Sequence, residues 1–414
     1  MRLGKHIAVV GAGVVGLATA VRLRRDGYRV SLFDPDEPGN RTSSGNAGLI
    51  MTAQISPLSA PGLWRKVPGM LADPEGPLVV RWQNLPRLTP WFVRFLNNSR
   101  WSRYERIAET LTPLVTRSLG SWQTLVGSYE GSRLFRQDGL LYVFRHRKNF
   151  IAGQKEVEFR RRHGIPGEVI QPEELRQMEP ALAPELAGGV LYPESGHCTD
   201  PAALSASLAS AFRQGGGEVR RAEVKQLGQG PHGLVRLTTS DSEMDFDEVV
   251  VAAGIWSPKL VKAFGVKPVL AAERGYHLML TQPEISLRRP IGAGDDKFVI
   301  TPMAKGIRLA GTAEFAGVDA PPDWRRSDVL LGMAKRLFPE INGEATATRW
   351  MGSRPSTPDS LPLIGRTPKN PRVICAFGHS HLGLTLGAVT AELVSDIVRG
   401  RGPNGIEALK PDRF

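Results

Sequence analysis

The stretch His6-Ile7-Ala8-Val9-Val10-Gly11-Ala12-Gly13-Val14-Val15-Gly16 decides how this chain is read. A short apolar strand, His6 to Val10, runs into a glycine-punctuated turn and then into a helix-forming segment that ends near Arg25. A second strand, Tyr28 to Phe33, finishes on Asp34. The pattern G-x-G-x-x-G thus stands in the strand–turn–helix–strand–acid context that dinucleotide binding requires. Gly11 permits the tight turn, Gly13 lets backbone approach a pyrophosphate, and Gly16 lets the helix pack on the strand. The helix N-terminus at Val14 and Val15 offers free N–H groups to phosphates. Asp34 is placed to hydrogen-bond a ribose hydroxyl and disfavours a ribose 2′-phosphate.

A chain of 414 residues exceeds one ordinary core and suits two domains. Ile7 to Val21 is apolar and follows a basic start, but it is short for a membrane span and lacks a small-residue cleavage site. The chain is therefore expected in the cytoplasm, either free or peripheral on the inner face of the cell membrane. Cys198 and Cys375 lie far apart and read as inert thiols, and the eight histidines show no ligand-type pairing, so no metal site is expected. No G-x-S-x-G nucleophile elbow is present. The net charge is +12, yet the arginines are scattered and no nucleic-acid-binding module is visible, so nucleic acid is excluded as a partner. Three readings of the charge stay open: attraction to an anionic substrate, attraction to an acidic membrane surface, or a plain compositional bias toward Arg.

Further along, Arg41-Thr42-Ser43-Ser44-Gly45-Asn46-Ala47-Gly48 reads as a small polar loop lying along the cofactor. Residues 56–101 are rich in Pro, Trp and Arg, and the prolines predict short helical turns rather than a long regular element. Arg106 to Tyr129 patterns as an amphipathic helix kinked or broken at Pro113. Strands are expected at Gly139–Phe144, Leu186–Tyr192 and Glu218–Val224, with Asp200 capping a helix that has Pro201 at its first position. Val249 to Ala253 is apolar on both parities, as a strand buried on two faces of a parallel sheet should be. YHLMLT, KFVITPM and GIRLAGTAEF alternate like antiparallel strands. Val373–Phe377 is a last strand, followed by a glycine-bracketed turn that feeds a helix.

The predicted fold class is α/β. A discontinuous Rossmann-like nucleotide-binding domain is drawn from residues 1–55, 200–270 and 346–414. An α+β substrate domain with an antiparallel sheet is drawn from 56–199 and 271–345. The site is expected at their junction.

The ordered series GAGVVG, TSSGNAG (42–48), VVVAAGIWS (249–257), GTAEFAG (311–317), SRPSTPDSLPLIG (353–365) and GHSHLGLTLG (378–387) resembles the D-amino-acid oxidase-type FAD-dependent oxidoreductase superfamily, and within it the bacterial D-amino-acid dehydrogenases most. The resemblance spans nearly the whole chain, and its two C-terminal motifs are far more specific than the glycine fingerprint. It implies non-covalent FAD and oxidation of a carbon–nitrogen bond beside a carboxylate, by hydride transfer from the α-carbon to the flavin. It places Arg354 of Gly352-Ser353-Arg354-Pro355 over the flavin as the clamp for the substrate carboxylate, a role suited to a planar, always-charged fork. Arg349 and Arg41 are alternative arginines.

By the same resemblance Tyr276 meets the substrate carboxylate or amine, with core packing as the equal alternative. His379, Gly378, Gly383 and Thr385 contact the flavin. His381 stands where the resembling enzymes more often carry Thr or Tyr; it either touches cofactor and substrate or faces solvent. Ser43, Ser44, Asn46, Ala47 and Gly48 border phosphate and flavin, Val224 the adenine, and Ala253 and Gly254 the pyrophosphate.

The implied reaction converts a D-amino acid to a 2-oxo acid and ammonia, with electrons passing to a quinone or another non-oxygen acceptor at a membrane surface. The competing readings are cyclic or secondary amino acids (D-hydroxyproline, proline, sarcosine or an opine), or a flavin-binding subunit of a larger complex. The Trp64, Trp82, Trp91 and Trp101 region either touches membrane or covers the pocket.

Overall fold

The computed structural model describes residues 4–63, 78–127, 129–402 and 407–414. Strand His6–Val10 sits inside a six-stranded sheet, paired in parallel with Arg29–Asp34 on one side and Glu248–Val251 on the other. Glu218–Arg221 and Val373–Phe377 extend the sheet in parallel, and Leu363–Arg366 closes it antiparallel. Val249, Val250 and Val251 are fully buried, which is why that run is apolar on both faces.

The helix Val14–Arg25 buries Leu17, Ala18, Val21 and Leu23 and packs on the C-terminal helix Gly387–Val398. Its last turn carries Arg22, Arg24 and Arg25, a charge sign that complements the helix dipole. The helix Pro201–Gln214 is capped as the sequence predicts, with the Asp200 carboxylate accepting from the N–H groups of Ala202 and Ala203 at 3.1 and 3.0 Å.

A second, nine-stranded sheet covers the open end of the first. Its core is antiparallel, with Ala271–Leu280 between Thr348–Ser356 and Gly306–Phe315, followed by Phe298–Met303 and Ile291–Ala293. One parallel pairing, Ile291–Ala293 with Leu140–Phe144, joins this run to the strands Gly188–Tyr192 and Glu168–Ile170. A small ribbon of Leu49–Ile50, Gly196–Cys198 and Phe135–Arg136 connects the two lobes.

Four sequence expectations change. Thr348–Ser356, grouped by sequence with the nucleotide segments, hydrogen-bonds along Ala271–Leu280 in the second sheet. Residues 101–126, grouped with the substrate lobe, bury Tyr104, Ile107, Leu111 and Trp122 in the same core as Leu17 and Val21. A 14-residue helix, Leu85–Asn98, runs through the Pro-rich stretch. Pro86 lies in its first turn, where an N–H is unneeded, and Pro90 is tolerated because Leu88, Trp91 and Phe95 bury one face. Likewise Trp101–Val115 continues through Pro113, and the chain breaks only before Ser118–Val126.

Trp122 is completely buried, and its Nε1 donates to the Leu384 carbonyl at 2.8 Å, tying the helix Ser118–Val126 to the turn after Phe377. Trp122→Ala is expected to lower unfolding free energy by about 3–5 kcal/mol, the range for a large core aromatic. Urea unfolding of the purified protein measures it, and a loss below about 1 kcal/mol would contradict this packing.

Candidate active site

The glycine turn leaves no room for side chains. Gly11 adopts φ +103°, and a Cβ added at Gly16 would lie 1.8 Å from the Gly11 carbonyl oxygen. The carboxylate at the end of the second strand locks the turn, with Asp34 accepting from Ala12 N–H at 2.7 Å and from Asp36 N–H at 2.9 Å. The first helical N–H, that of Val14, donates to Ser43 Oγ at 2.9 Å, so the 42–48 loop lies across the helix N-terminus.

That loop is fastened to the other lobe by groups the sequence reading did not single out. Arg308 donates to the Asn46 carbonyl, and His277 Nδ1 lies 2.9 Å from the Gly45 carbonyl oxygen while its ring stacks on Trp350. Thr42 donates to the Ser353 carbonyl at 3.0 Å, and Asn46 Oδ1 accepts from Gly48 N–H at 2.8 Å.

From this turn a cavity of about 2110 Å³ runs between the lobes to Arg354. Gly13, Val15, Ser43, Asn46 and Ala47 line its start, Val224, Ala253 and Gly254 one side, and Gly378, His379, His381 and Gly383 the far side. Ser44, Gly48 and Thr385 are not on its wall. Ser44 donates to the Arg41 carbonyl, Gly48 packs on the Cys198 carbonyl, and Thr385 bridges Leu49 and Met51. Arg349 pairs at the surface with Asp328 at 2.7 Å, whereas Arg41 lines the cavity over the Trp256 ring and pairs with Asp36.

Arg354 reaches the inner end of the cavity from the strand Thr348–Ser356, directly opposite Glu273 in the register. Its guanidinium lies over Gly275, where any Cβ would fall 2.2 Å from Nη2, so only glycine leaves it this position. Arg354 Nη1 stands 3.3 Å from Glu273 Oε1, and His381 Nε2 lies 2.5 Å from the same oxygen. Glu273 is 2 % exposed, and its Oε2 makes no hydrogen bond among the described residues. Burial pushes this carboxyl up, but His381 and Arg354 outweigh burial and hold it down at about 2. Glu273 was not found from sequence. Its only signal was an acid in a fully buried strand, just before Arg274-Gly275-Tyr276.

Tyr276 lies in the middle of Ala271–Leu280, beside a bulge, rather than at its head. It borders the cavity, yet its hydroxyl donates to Glu314 at 2.6 Å and accepts from Asp323 N–H at 3.1 Å. Arg81 and Arg274 complete the knot around Glu314. Burial and then the bond to Glu314 push the phenol up to about 12, so the geometry favours packing over substrate contact. His379 is buried with Nε2 on Thr390 Oγ1 at 2.8 Å, and burial lowers it to about 3. Among the described residues no cluster of His, Cys, Asp and Glu could hold a metal ion.

The close-packed glycine turn at the start of the helix and the long cavity between the lobes fit an extended dinucleotide. This defines a two-lobed dinucleotide-dependent oxidoreductase. The chain belongs to the FAD dependent oxidoreductase family (DAO), whose model matches residues 6–397, and FAD is its cofactor. It is 37% identical, over 99% of both chains, to a D-amino-acid oxidase of Bradyrhizobium diazoefficiens. It is 33% identical to a D-amino acid dehydrogenase of Paramagnetospirillum magneticum, over 99% of this chain and 98% of that one. Among solved structures, glycine oxidase from Geobacillus kaustophilus superposes with a TM-score of 0.75 at 22% identity, covering 99% of each chain. L-Proline dehydrogenase from P. horikoshii gives 0.75 at 19%, covering 100% of this chain and 98% of that one. These two show the shared fold.

Burial lowers His277 and His379 to about 3 and His197 to about 4. These rings stay neutral in the folded state while the unfolded chain protonates them below about pH 6.5, so stability falls as pH drops from there toward 4. Denaturant midpoints across that window should show the fall. His379→Asn should flatten the curve, by up to about 1.4 kcal/mol per pH unit removed. An unchanged slope would mean the ring titrates normally.

Proposed function

We propose that this enzyme oxidatively deaminates D-amino acids to 2-oxo acids and ammonia. The observation that carries the reading is Arg354, set on a side-chain-free backbone position at the inner end of the cofactor cavity. A planar guanidinium there binds an α-carboxylate through two parallel hydrogen bonds and stays charged when desolvated. Bound FAD supplies the acceptor for the substrate's hydrogen and electron pair. The chain's own contributions are orientation of the amino acid by Arg354, closure of the cavity by the second sheet, and support of the cofactor by Gly11, Gly13, Ser43 and the 378–387 turn. The names of the two relatives support a D-amino acid as the substrate class. The domain division proposed from sequence is kept with two changes: Thr348–Ser356 goes to the substrate lobe, where its pairing lies, and residues 101–126 go to the nucleotide lobe, whose core they share.

For the electron acceptor the proposal is a quinone or another non-oxygen oxidant, reached from a membrane surface. Supporting this is the exposure of Trp101, whereas the exposed Val93 and Leu96 border the cavity. Trp91 instead is buried, stacked on Phe95 with Nε1 donating to the Ser356 carbonyl, so it covers the site side; Trp64 lies outside the described residues. No helix among the described residues is long and apolar enough to cross a membrane. Oxygen is the second reading, favoured by the name of the Bradyrhizobium diazoefficiens relative. An oxygen electrode run beside a quinone-analogue dye assay separates them.

Arg354→Ala is expected to reduce kcat/KM for D-amino acids at least about 100-fold, about 3 kcal/mol, while flavin remains bound. Near wild-type turnover in a yellow, flavin-loaded variant would end this assignment.

A further inference from the structure

Glu273 and His381 come from segments 108 residues apart in sequence and meet inside the cavity, within reach of the arginine that clamps the substrate. We propose that the pair is a proton acceptor for the substrate's ammonium group, with His381 taking the proton and Glu273 orienting and stabilising the ring. The proposal rests on the amine-oxidation reading given above.

The chemistry requires such a group or an equivalent route. An amino acid in neutral water carries an ammonium, which has no lone pair to stabilise the carbon as hydride leaves. In the proposed step the ammonium N–H bond breaks and a bond forms between that proton and His381 Nδ1. The neutral amine then loses its α-hydrogen with two electrons to the flavin, leaving an iminium. Water converts this to the 2-oxo acid and ammonium, and the proton on His381 passes to solvent. No further oxidant is needed.

The geometry supplies each part. His381 approaches Glu273 through Nε2 at 2.5 Å, which leaves Nδ1 as the ring nitrogen available to the substrate's proton. No hydrogen bond among the described residues engages Nδ1, and the side chain is 35% exposed, leaving a path for the proton to water. A carboxylate on one nitrogen fixes the tautomer and stabilises the imidazolium that forms. Glu273 suits this because Arg354 and burial confine it to one side of the ring. The charged and titratable groups facing the imidazole are Glu273 and, across the same carboxylate, Arg354; on its own turn His379 is neutral and bonded to Thr390. The hydroxyl of Ser380, between the two histidines, accepts from the Thr357 N–H and so pins the turn to the clamp strand's end.

The test uses flavin-loaded wild type, His381→Gln and Glu273→Gln. Anaerobic stopped-flow bleaching of the flavin by D-alanine is followed from about pH 6 to pH 10, together with benzoate binding read from the flavin spectrum. In His381→Gln the acidic limb should move up by at least about one pH unit. Reduction near pH 7 should fall at least about tenfold and recover to within about threefold at the alkaline end, where the amine is already neutral. Benzoate, which carries no amine, should bind within about threefold of wild type. Glu273→Gln should shift the limb in the same direction and tighten benzoate, because Arg354 loses its resident counter-charge.

An unchanged limb in both variants, or an equal loss at every pH, makes the bridge structural and overturns the proposal. If His381→Gln retains no flavin, Glu273→Gln decides alone. Wild type that no amino acid bleaches defeats the functional reading itself, independently of the variants.

Discussion

The contact between the first strand and the first helix leaves no space for an atom beyond hydrogen at Gly16, whose nearest neighbour is the carbonyl oxygen of Gly11. With the helix seated that closely, Asp34 takes the Ala12 N–H of the turn and Ser43 takes the first helical N–H, that of Val14. The rest of the molecule follows from that seat. The 42–48 loop crosses the helix N-terminus, so it needs an anchor on the opposite lobe, and Arg308, His277 and Trp350 provide one. The second sheet is thereby held over the cofactor end of the first, where Arg354 enters.

Local patterns carried most of the fold. The glycine turn, the Asp200 cap and the doubly buried strand Glu248–Val251 each state their structure within a few residues, because backbone geometry and burial are decided there. Tertiary packing overrode the prolines at 90 and 113: one apolar face buried against neighbours outweighs a missing backbone bond. The strand Thr348–Ser356 was grouped with the nucleotide-binding segments, whereas it pairs in the second sheet, since a strand's sequence does not name its partner.

The site divides in the same way. Arg354 was singled out from its Gly-Ser-Arg-Pro surroundings, and it lines the cavity together with Gly11, Gly13, Gly254, Gly378 and Gly383. Glu273 was not, because its meaning depends on register with Arg354 and on a turn much later in the chain. Tyr276 shows the converse. Its neighbours in sequence left substrate contact and core packing equally open, and the structure ties its hydroxyl to Glu314 and Asp323.

The cofactor cradle draws its walls from the first strand, from the middle strand Glu248–Val251 and from the turn after Phe377. During synthesis the glycine turn therefore leaves the ribosome long before the wall that must face it exists. A chain stopped before residue 378 has the glycine turn but lacks the cavity's far wall, so the cavity itself belongs to the finished polypeptide and not to the nascent one.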